Sequence, residues 1–181
     1  MKTIILPGYS LHNKEWAEEV AEDLTAKGLQ TTVHYWRHWR DESLSLSLRF
    51  ELEKITEEIG KEKINPHNQK VGVGVNIIAK SVGVYVALNL IPNIASQINK
   101  VFFCGIASVG GEDRKGLVKT VLSKIPIENI LCIQNESDKF VTFDEAEKFY
   151  HSVDPKIKVV SKPRSDHNYP YPEDFRKFLL S

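Results

Sequence analysis

The chain has 181 residues, of which 41% are hydrophobic and 27% charged, and its 24 basic side chains balance its 24 acidic ones. These proportions are close to globular averages and exclude a disordered tail or a fibrous repeat. The absence of a net charge argues against a nucleic-acid partner, because phosphate binding requires a surplus of positive charge. The length favours a single domain over residues 1–181 with one substantial core.

Short runs rich in β-branched residues alternate along the chain with longer stretches of helical periodicity. Several of these runs are apolar at successive positions, as strands covered on both faces of a sheet are. The runs are Thr3–Leu6, Gln30–Tyr35, Val73–Ala79, Val101–Cys104, Ile130–Ile133 and Ile157–Val160.

The stretches between the runs predict amphipathic helices. Thr142 and Glu145 have the spacing of a capping box, and Pro172 suits the first turn of a terminal helix. The apolar positions at helical spacing are Trp16, Val20 and Leu24; Leu48, Leu52, Ile55 and Ile59; Phe143, Ala146 and Phe149; and Phe175, Phe178 and Leu179.

The repeated strand–helix order predicts an α/β fold, doubly wound, with a mostly parallel sheet of about six strands and helices on both faces. In such a sheet, binding and catalytic residues collect in the loops at the carboxyl ends of the strands. We therefore expect the functional residues directly after each run.

Two cysteines, Cys104 and Cys132, lie within apolar runs, which predicts buried structural thiols rather than a disulfide scaffold. The longest mostly apolar stretch, Val82–Ile91, is shorter than the ~18–20 residues that cross a bilayer. The apolar run at the N-terminus is too short for the core of a signal peptide. We expect a cytoplasmic protein with no membrane partner.

A serine follows the third run in the segment Ala79–Gly83, and an apolar helical stretch comes next. Small residues two positions before and two after Ser81 are typical of a sharp strand-to-helix turn that strains the serine backbone and exposes its hydroxyl. The same turn directs the N–H of Val82, at the start of the helix, toward that space. Ala79 replaces the glycine of the usual G-x-S-x-G pattern. Taken alone, the motif is also compatible with an ordinary strand-to-helix turn.

An acid and a histidine follow the last two runs. Asp138 lies after the fifth run and His167 after the sixth, so serine, acid and histidine occur in that order, each in a loop after a predicted strand. A serine hydroxyl is a weak nucleophile until an imidazole takes its proton, and the imidazole needs a carboxylate that fixes its tautomer. The combination predicts a catalytic triad of Ser81, Asp138 and His167.

These residues resemble the α/β-hydrolase-fold serine hydrolases over nearly the whole chain. Ala79–Gly83 looks like the nucleophile elbow, and Leu6–Tyr9 looks like the loop that supplies the second oxyanion amide. The resemblance implies that the backbone N–H groups of Tyr9 and Val82 form the oxyanion hole. It further implies acyl transfer to serine without a cofactor.

The length resembles that of the minimal family members, including the small lidless group with retinoblastoma-binding-protein-9-like hydrolases. The longest candidate for an inserted lid, Gly105–Glu128, has room for one short helix at most. We therefore expect an open cleft and a small-molecule ester as substrate, with no lid domain. The sequence indicates no oligomeric state.

The segment His34–Trp39 is unusually rich in histidine and tryptophan. Its alternation predicts His34, Trp36 and His38 on one side if the second strand extends that far. We expect no metal there, because no carboxylate or cysteine cluster completes a site. The segment either lines the substrate site or packs its indoles between sheet and helix. The candidate substrate-binding residues are Gly8, His12, Trp36 and His38.

Lys80, next to the serine, either pairs with an acidic group or is solvated. Other nucleophiles are less suitable: Ser10 lacks the elbow, Ser108 is not followed directly by a helix, and Cys104 has no evident base. The favoured function is a serine hydrolase of the carboxylesterase type. Two alternatives remain: a non-catalytic binding module on the same fold, and a thioesterase or acyltransferase with the same triad.

Overall fold

The structure is a computed structural model that describes residues 1–60 and 74–181. Within these residues, six strands form one sheet in which every neighbouring pair is parallel, so the predicted mostly parallel sheet is confirmed. The strands are β1 (Lys2–Leu6), β2 (Gln30–Val33), β3 (Val75–Lys80), β4 (Ile98–Cys104), β5 (Ile130–Asn135) and β6 (Lys158–Lys162). Their order across the sheet is β2-β1-β3-β4-β5-β6.

In the described residues, six α-helices cover both faces of this sheet, as predicted. They are α1 (Asn13–Ala26), α2 (Leu48–Gly60), α3 (Val82–Ile94), α4 (Glu112–Leu122), α5 (Phe143–Val153) and α6 (Pro172–Leu180). Buried side chains of α1 and α6 share one hydrophobic cluster, and those of α2 to α5 share the other. Alternation within β1 divides the strand between the layers, since Ile4 and Leu6 belong to the second cluster and Ile5 to the first.

Local sequence signals account for several element ends. Thr142 and Glu145 form the predicted capping box at the start of α5, and Pro172 begins α6. Both cysteines are buried free thiols, and burial raises the pKa of the Cys104 thiol to about 12. A thiol in that state is a poor nucleophile at neutral pH.

Several strand boundaries differ from the sequence prediction: β4 begins at Ile98 instead of Val101, and β6 covers Lys158–Lys162 instead of Ile157–Val160. β2 ends at Val33 rather than at Tyr35, and a short 3₁₀ helix covers Arg37–Trp39. The predicted start of the third strand, Val73, lies outside the described residues.

Between β4 and β5 the chain contains α4 and a 3₁₀ turn, Ile127–Asn129. In the described ranges, no helix is long and apolar enough to cross a membrane.

Candidate active site

Ser81 occupies the turn between β3 and α3. Its backbone has φ 56° and ψ −117°, and in residues 1–60 and 74–181 it is the one non-glycine residue with positive φ. Such a conformation costs about 1–3 kcal/mol and persists only where the surrounding structure enforces it. Here the Ser81 N–H donates to Cys104 O at 3.1 Å, and Ser81 O accepts from Val84 N–H at 3.0 Å. The strain predicted for this serine is thus present.

Gly83 explains why the turn is so tight. A Cβ placed on Gly83 would lie 2.0 Å from Leu6 O, because the first turn of α3 packs on the carboxyl end of β1. Ala79, on the other flank of the serine, is fully buried and pairs with Leu6 and Phe103 in the sheet. Alanine therefore fits where the usual pattern has glycine, whereas the second glycine is a steric requirement.

Asp138 and His167 are brought together from the loops after β5 and β6. His167 Nδ1 lies 2.6 Å from Asp138 Oδ2, and a carboxylate only accepts, so Nδ1 carries the proton. In the neutral tautomer with the proton on Nδ1, Nε2 is the basic nitrogen, and this is the tautomer that a general base requires.

Two further donors hold the Asp138 carboxylate. The Tyr169 hydroxyl donates to Oδ2 at 2.6 Å, and the Phe140 N–H donates to Oδ1 at 2.9 Å. Burial on its own would raise the pKa of Asp138, but the hydrogen bonds from His167, Tyr169 and Phe140 outweigh it and the pKa is lowered. The carboxylate is therefore ionised at neutral pH although it is only 2% exposed.

Ser81 and His167 both contact the backbone segment Cys104–Gly105. Ser81 N–H donates to Cys104 O, and a Cβ on Gly105 would lie 3.0 Å from His167 Cε1. His167 Nε2 is buried and has no hydrogen-bond partner in the described part of the chain. The hydrogen bond from the Ser81 hydroxyl to this nitrogen is therefore not formed here. Bonds of this kind are often long or misaligned without substrate.

The loop Gly8–Ser10 follows β1, and a hydrogen bond from Trp36 fixes its backbone. The Trp36 indole N–H donates to Gly8 O at 3.0 Å, and the indole is fully buried. The C=O and the next N–H of a planar trans peptide point in opposite directions. The Tyr9 N–H therefore points away from the indole, as an oxyanion donor must.

The next carbonyl of this loop is held in the same way. Tyr9 O accepts from His38 Nε2 at 2.8 Å and from Trp39 Nε1 at 2.7 Å, and the Tyr9 ring stacks on the His38 ring at 4.3 Å. These contacts explain the unusual histidine and tryptophan segment, which anchors the Gly8–Ser10 loop. Trp36 is fully buried against the loop and has no exposed surface for a substrate, whereas His38 is 8% exposed and borders a cavity beside Tyr9, so its expected substrate contact stays a prediction.

Lys80 is buried, and within residues 1–60 and 74–181 it forms no ion pair with an acid, in contrast to both expectations. Its side chain is 4% exposed, Nζ donates to Asn13 Oδ1 at 2.7 Å, and the ammonium lies 4.9 Å from the centre of the Trp16 ring. Desolvation by this burial lowers the pKa of Lys80.

Two cavities flank the Gly8–Ser10 loop. The larger, about 580 Å³, is lined by residues that include His12, Asn13, Lys80, Phe140 and His167. Ser81 is not part of its wall, but the residue beside it, Lys80, is. The second cavity, about 260 Å³, has a more apolar lining of Tyr9, Leu11, His38, Trp39 and Leu44, with Ser10 and Glu42. Ser10 borders both cavities.

Sequence reasoning missed the residues that shape the histidine loop. Asn135 Nδ2 donates to Asp166 O and to Asn168 O, each at 2.8 Å, and Asn135 Oδ1 accepts from the Tyr171 hydroxyl. The signal available in the sequence was Asn135 itself, an amide at the last position of a buried strand.

In the ranges that the structure covers, no group of three or more His, Cys, Asp or Glu is arranged to hold a metal.

Comparison with solved structures shows that the chain has the α/β-hydrolase fold, as the motifs indicate. A lidless α/β serine hydrolase from Xanthomonas campestris superposes with a TM-score of 0.70 at 16% identity, over 99% of this chain and 78% of that one. An α/β serine hydrolase homologue from Coxiella burnetii gives 0.68 at 17% identity, over 99% and 83%.

A third structure, α/β hydrolase domain-containing protein 10 from mouse, gives a TM-score of 0.68 at 10% identity, over 99% of this chain and 88% of that one. No family model and no curated protein sequence matches the chain. At such low identities the likeness establishes the fold, and function must be argued from the site.

Proposed function

We propose that the protein is a serine hydrolase that cleaves small esters, with Ser81 as nucleophile, His167 as general base and Asp138 as the group that orients the imidazole. The proposal is supported above all by the 2.6 Å contact of His167 Nδ1 with Asp138, which assigns the role of base to Nε2, while the ring lies beside the backbone segment that also binds Ser81. The strained serine and the low pKa of Asp138 are consistent with it.

In the proposed reaction, the Ser81 hydroxyl adds to the ester carbonyl while His167 Nε2 takes the hydroxyl proton. The N–H groups of Tyr9 and Val82 stabilise the resulting oxyanion; Val82 is the first residue of α3 and its N–H has no intrahelical acceptor. His167 then returns the proton to the departing alcohol. Water cleaves the acyl-enzyme by the same steps, so acid and alcohol are the products and no cofactor is consumed.

The test is intact-mass labelling with a fluorophosphonate, followed by assays on 4-nitrophenyl esters and a thioester. We expect one adduct on the wild type, none on Ser81→Ala, and an unchanged adduct on Ser108→Ala. Ser108 is an exposed serine in the loop after β4 and serves as the matched control. An unlabelled but folded wild type would favour the binding module. An adduct that survives in Ser81→Ala would identify a different nucleophile, and a preference for the thioester would assign a thioesterase.

A further inference from the structure

Two side chains join the nucleophile elbow to the Gly8–Ser10 loop. Lys80 precedes Ser81 in the chain and donates through Nζ to Asn13 Oδ1 at 2.7 Å. Asn13 Nδ2 in turn donates to Ser10 O at 3.0 Å and to Ser10 Oγ at 2.9 Å. A continuous chain of hydrogen bonds therefore runs from the residue beside the serine to the loop that carries the Tyr9 N–H.

Asn13 also limits the position of the loop by direct packing. A Cβ on Gly8 would lie 2.6–2.8 Å from the Asn13 amide atoms, so the amide is seated against the Gly8 backbone. On the opposite side, Trp36 and His38 bind the carbonyls of Gly8 and Tyr9. The Gly8–Ser10 loop is thus held by two sets of contacts. We call Trp36, His38 and Trp39 the aromatic anchor, and the hydrogen bonds from Lys80 through Asn13 to Ser10 the Lys80–Asn13 bridge.

Burial strengthens the Lys80 end of the bridge, whereas the bonds from Asn13 to Ser10 are exposed. Lys80 is 4% exposed and forms no ion pair with a carboxylate in the part of the chain that the structure describes, so Asn13 Oδ1 supplies its hydrogen-bond acceptor. A hydrogen bond from an ionised donor is stronger than one between neutral groups, and water competes little for a buried one. The Trp16 ring beneath the ammonium further restricts its position.

We propose that Lys80 and Asn13 are positioning residues that set the distance between the oxyanion donor on Tyr9 and the nucleophile Ser81. Neither residue touches the reacting atoms in this role. They act by fixing the position of the Gly8–Ser10 loop relative to the Ala79–Gly83 turn. The two proposed oxyanion N–H groups, one from each segment, can then donate to the same oxygen. The inference rests on the proposed function and deepens it.

The first experiment measures the second-order rate of fluorophosphonate labelling of Ser81 in Lys80→Met, Asn13→Ala and the double variant, corrected for the folded fraction. We expect each single variant to lose about 10-fold or more, since a misplacement of about 1 Å costs up to about 100-fold. The double variant should lose about as much as one single variant, because both changes break the same bridge. Losses that multiply, or single losses below about twofold, would overturn the proposal.

Matched variants separate the two halves of the bridge. Lys14→Met changes an exposed lysine that neighbours Asn13 and pairs with Glu18, and we expect no effect on labelling. Asn13→Asp keeps an acceptor for Lys80 but loses the donor to Ser10, so it should be impaired like Asn13→Ala. A wild-type labelling rate in Asn13→Asp would show that Ser10 is not part of the mechanism and would overturn the bridge.

A second measurement does not depend on reactivity. The Asn13 and Lys14 N–H groups donate to Ser10 O and Leu11 O, and their hydrogen exchange should accelerate about 10-fold or more in Lys80→Met, while exchange in β4 and β5 stays unchanged. Unchanged exchange at these two amides would overturn the positioning role even if the protein proves unreactive. Conversely, failure of the wild type to label, with faster exchange in the variant, would refute the proposed function and leave the bridge supported.

Discussion

Tyr169 and His167 donate to the same oxygen of Asp138, each at 2.6 Å. Tyr169 is fully buried, and its ring edge also packs where a side chain on Gly105 would otherwise lie. The tyrosine therefore contacts both the carboxylate and the Cys104–Gly105 segment, whose Cys104 O accepts from the Ser81 N–H. Its hydroxyl lowers the pKa of Asp138, as does the bond from His167, against the opposing effect of burial.

Removing this hydroxyl should weaken both stability and catalysis. For Tyr169→Phe we expect a free energy of unfolding lower by about 1–3 kcal/mol, because Asp138 loses a buried hydrogen bond. Ester hydrolysis should fall several-fold, by less than in Asp138→Asn, which also loses the carboxylate that orients the imidazole. Urea unfolding and kcat measurements check this. A Tyr169→Phe enzyme as stable as the wild type would mean that water replaces the hydroxyl without cost.

Two variants of the aromatic anchor, Trp36→Phe and Trp39→Phe, should differ in their rate of fluorophosphonate labelling. Trp36→Phe leaves Gly8 O without its buried donor, so we expect about 10-fold slower fluorophosphonate labelling and lower stability. Trp39→Phe removes one of two donors to Tyr9 O, and His38 Nε2 still holds that carbonyl, so its effect should be smaller. Equal labelling rates in both variants and the wild type would show that the indoles do not control the loop.

The order of strands and helices, the two-layer core and the serine turn were predictable because their signals are local. Apolar runs, helical spacing, the Thr142–Glu145 pair and the small residues around Ser81 each act within a few positions. The resemblance to α/β hydrolases adds the chain order of serine, acid and histidine. The comparisons with solved structures confirm the fold, while the roles of the three residues remain a prediction.

What the sequence did not reveal depends on contacts between distant segments. Lys80 meets Asn13 across 67 residues, and Trp36 meets Gly8 across 28. Periodicity gives the face on which a side chain lies but not the atom that it reaches. It also extended β2 to Tyr35, whereas the chain leaves the sheet after Val33.

Substitution of Gly83 by alanine tests the packing of the Ala79–Gly83 turn, with Gly116→Ala in α4 as the control. Gly83→Ala would place a methyl group 2.0 Å from Leu6 O, so we expect a free energy of unfolding lower by at least about 3 kcal/mol. Gly116→Ala, on the exposed side of α4 with no atom within 4 Å of the added carbon, should raise it by about 0.5–1 kcal/mol. Thermal unfolding of both variants distinguishes the positions, and a tolerated Gly83→Ala would contradict the close approach of α3 to β1.

We expect a buried histidine outside the candidate active site, His34, to make the stability of the protein depend on pH. His34 is 2% exposed, and its two ring nitrogens contact Glu51 Oε2 at 2.8 Å and Glu58 Oε2 at 3.1 Å. Burial on its own would lower the pKa of His34, but the hydrogen bonds and charges of the two glutamates outweigh it and the pKa is raised. The imidazolium thus ties the end of β2 to α2.

Because the folded pKa lies above the unfolded value of about 6.5, protonated His34 favours the folded state, fully so below that value. This contribution is lost as the pH rises through the folded pKa. We therefore expect His34→Gln to be less stable than the wild type near pH ~5.5, with the difference shrinking toward pH ~9. His151→Gln, whose ring bonds to Ile157 O, is the control for the loss of an imidazole as such. Urea unfolding across this pH range measures both, and a constant difference for His34→Gln would mean that His34 is not charged in the folded protein.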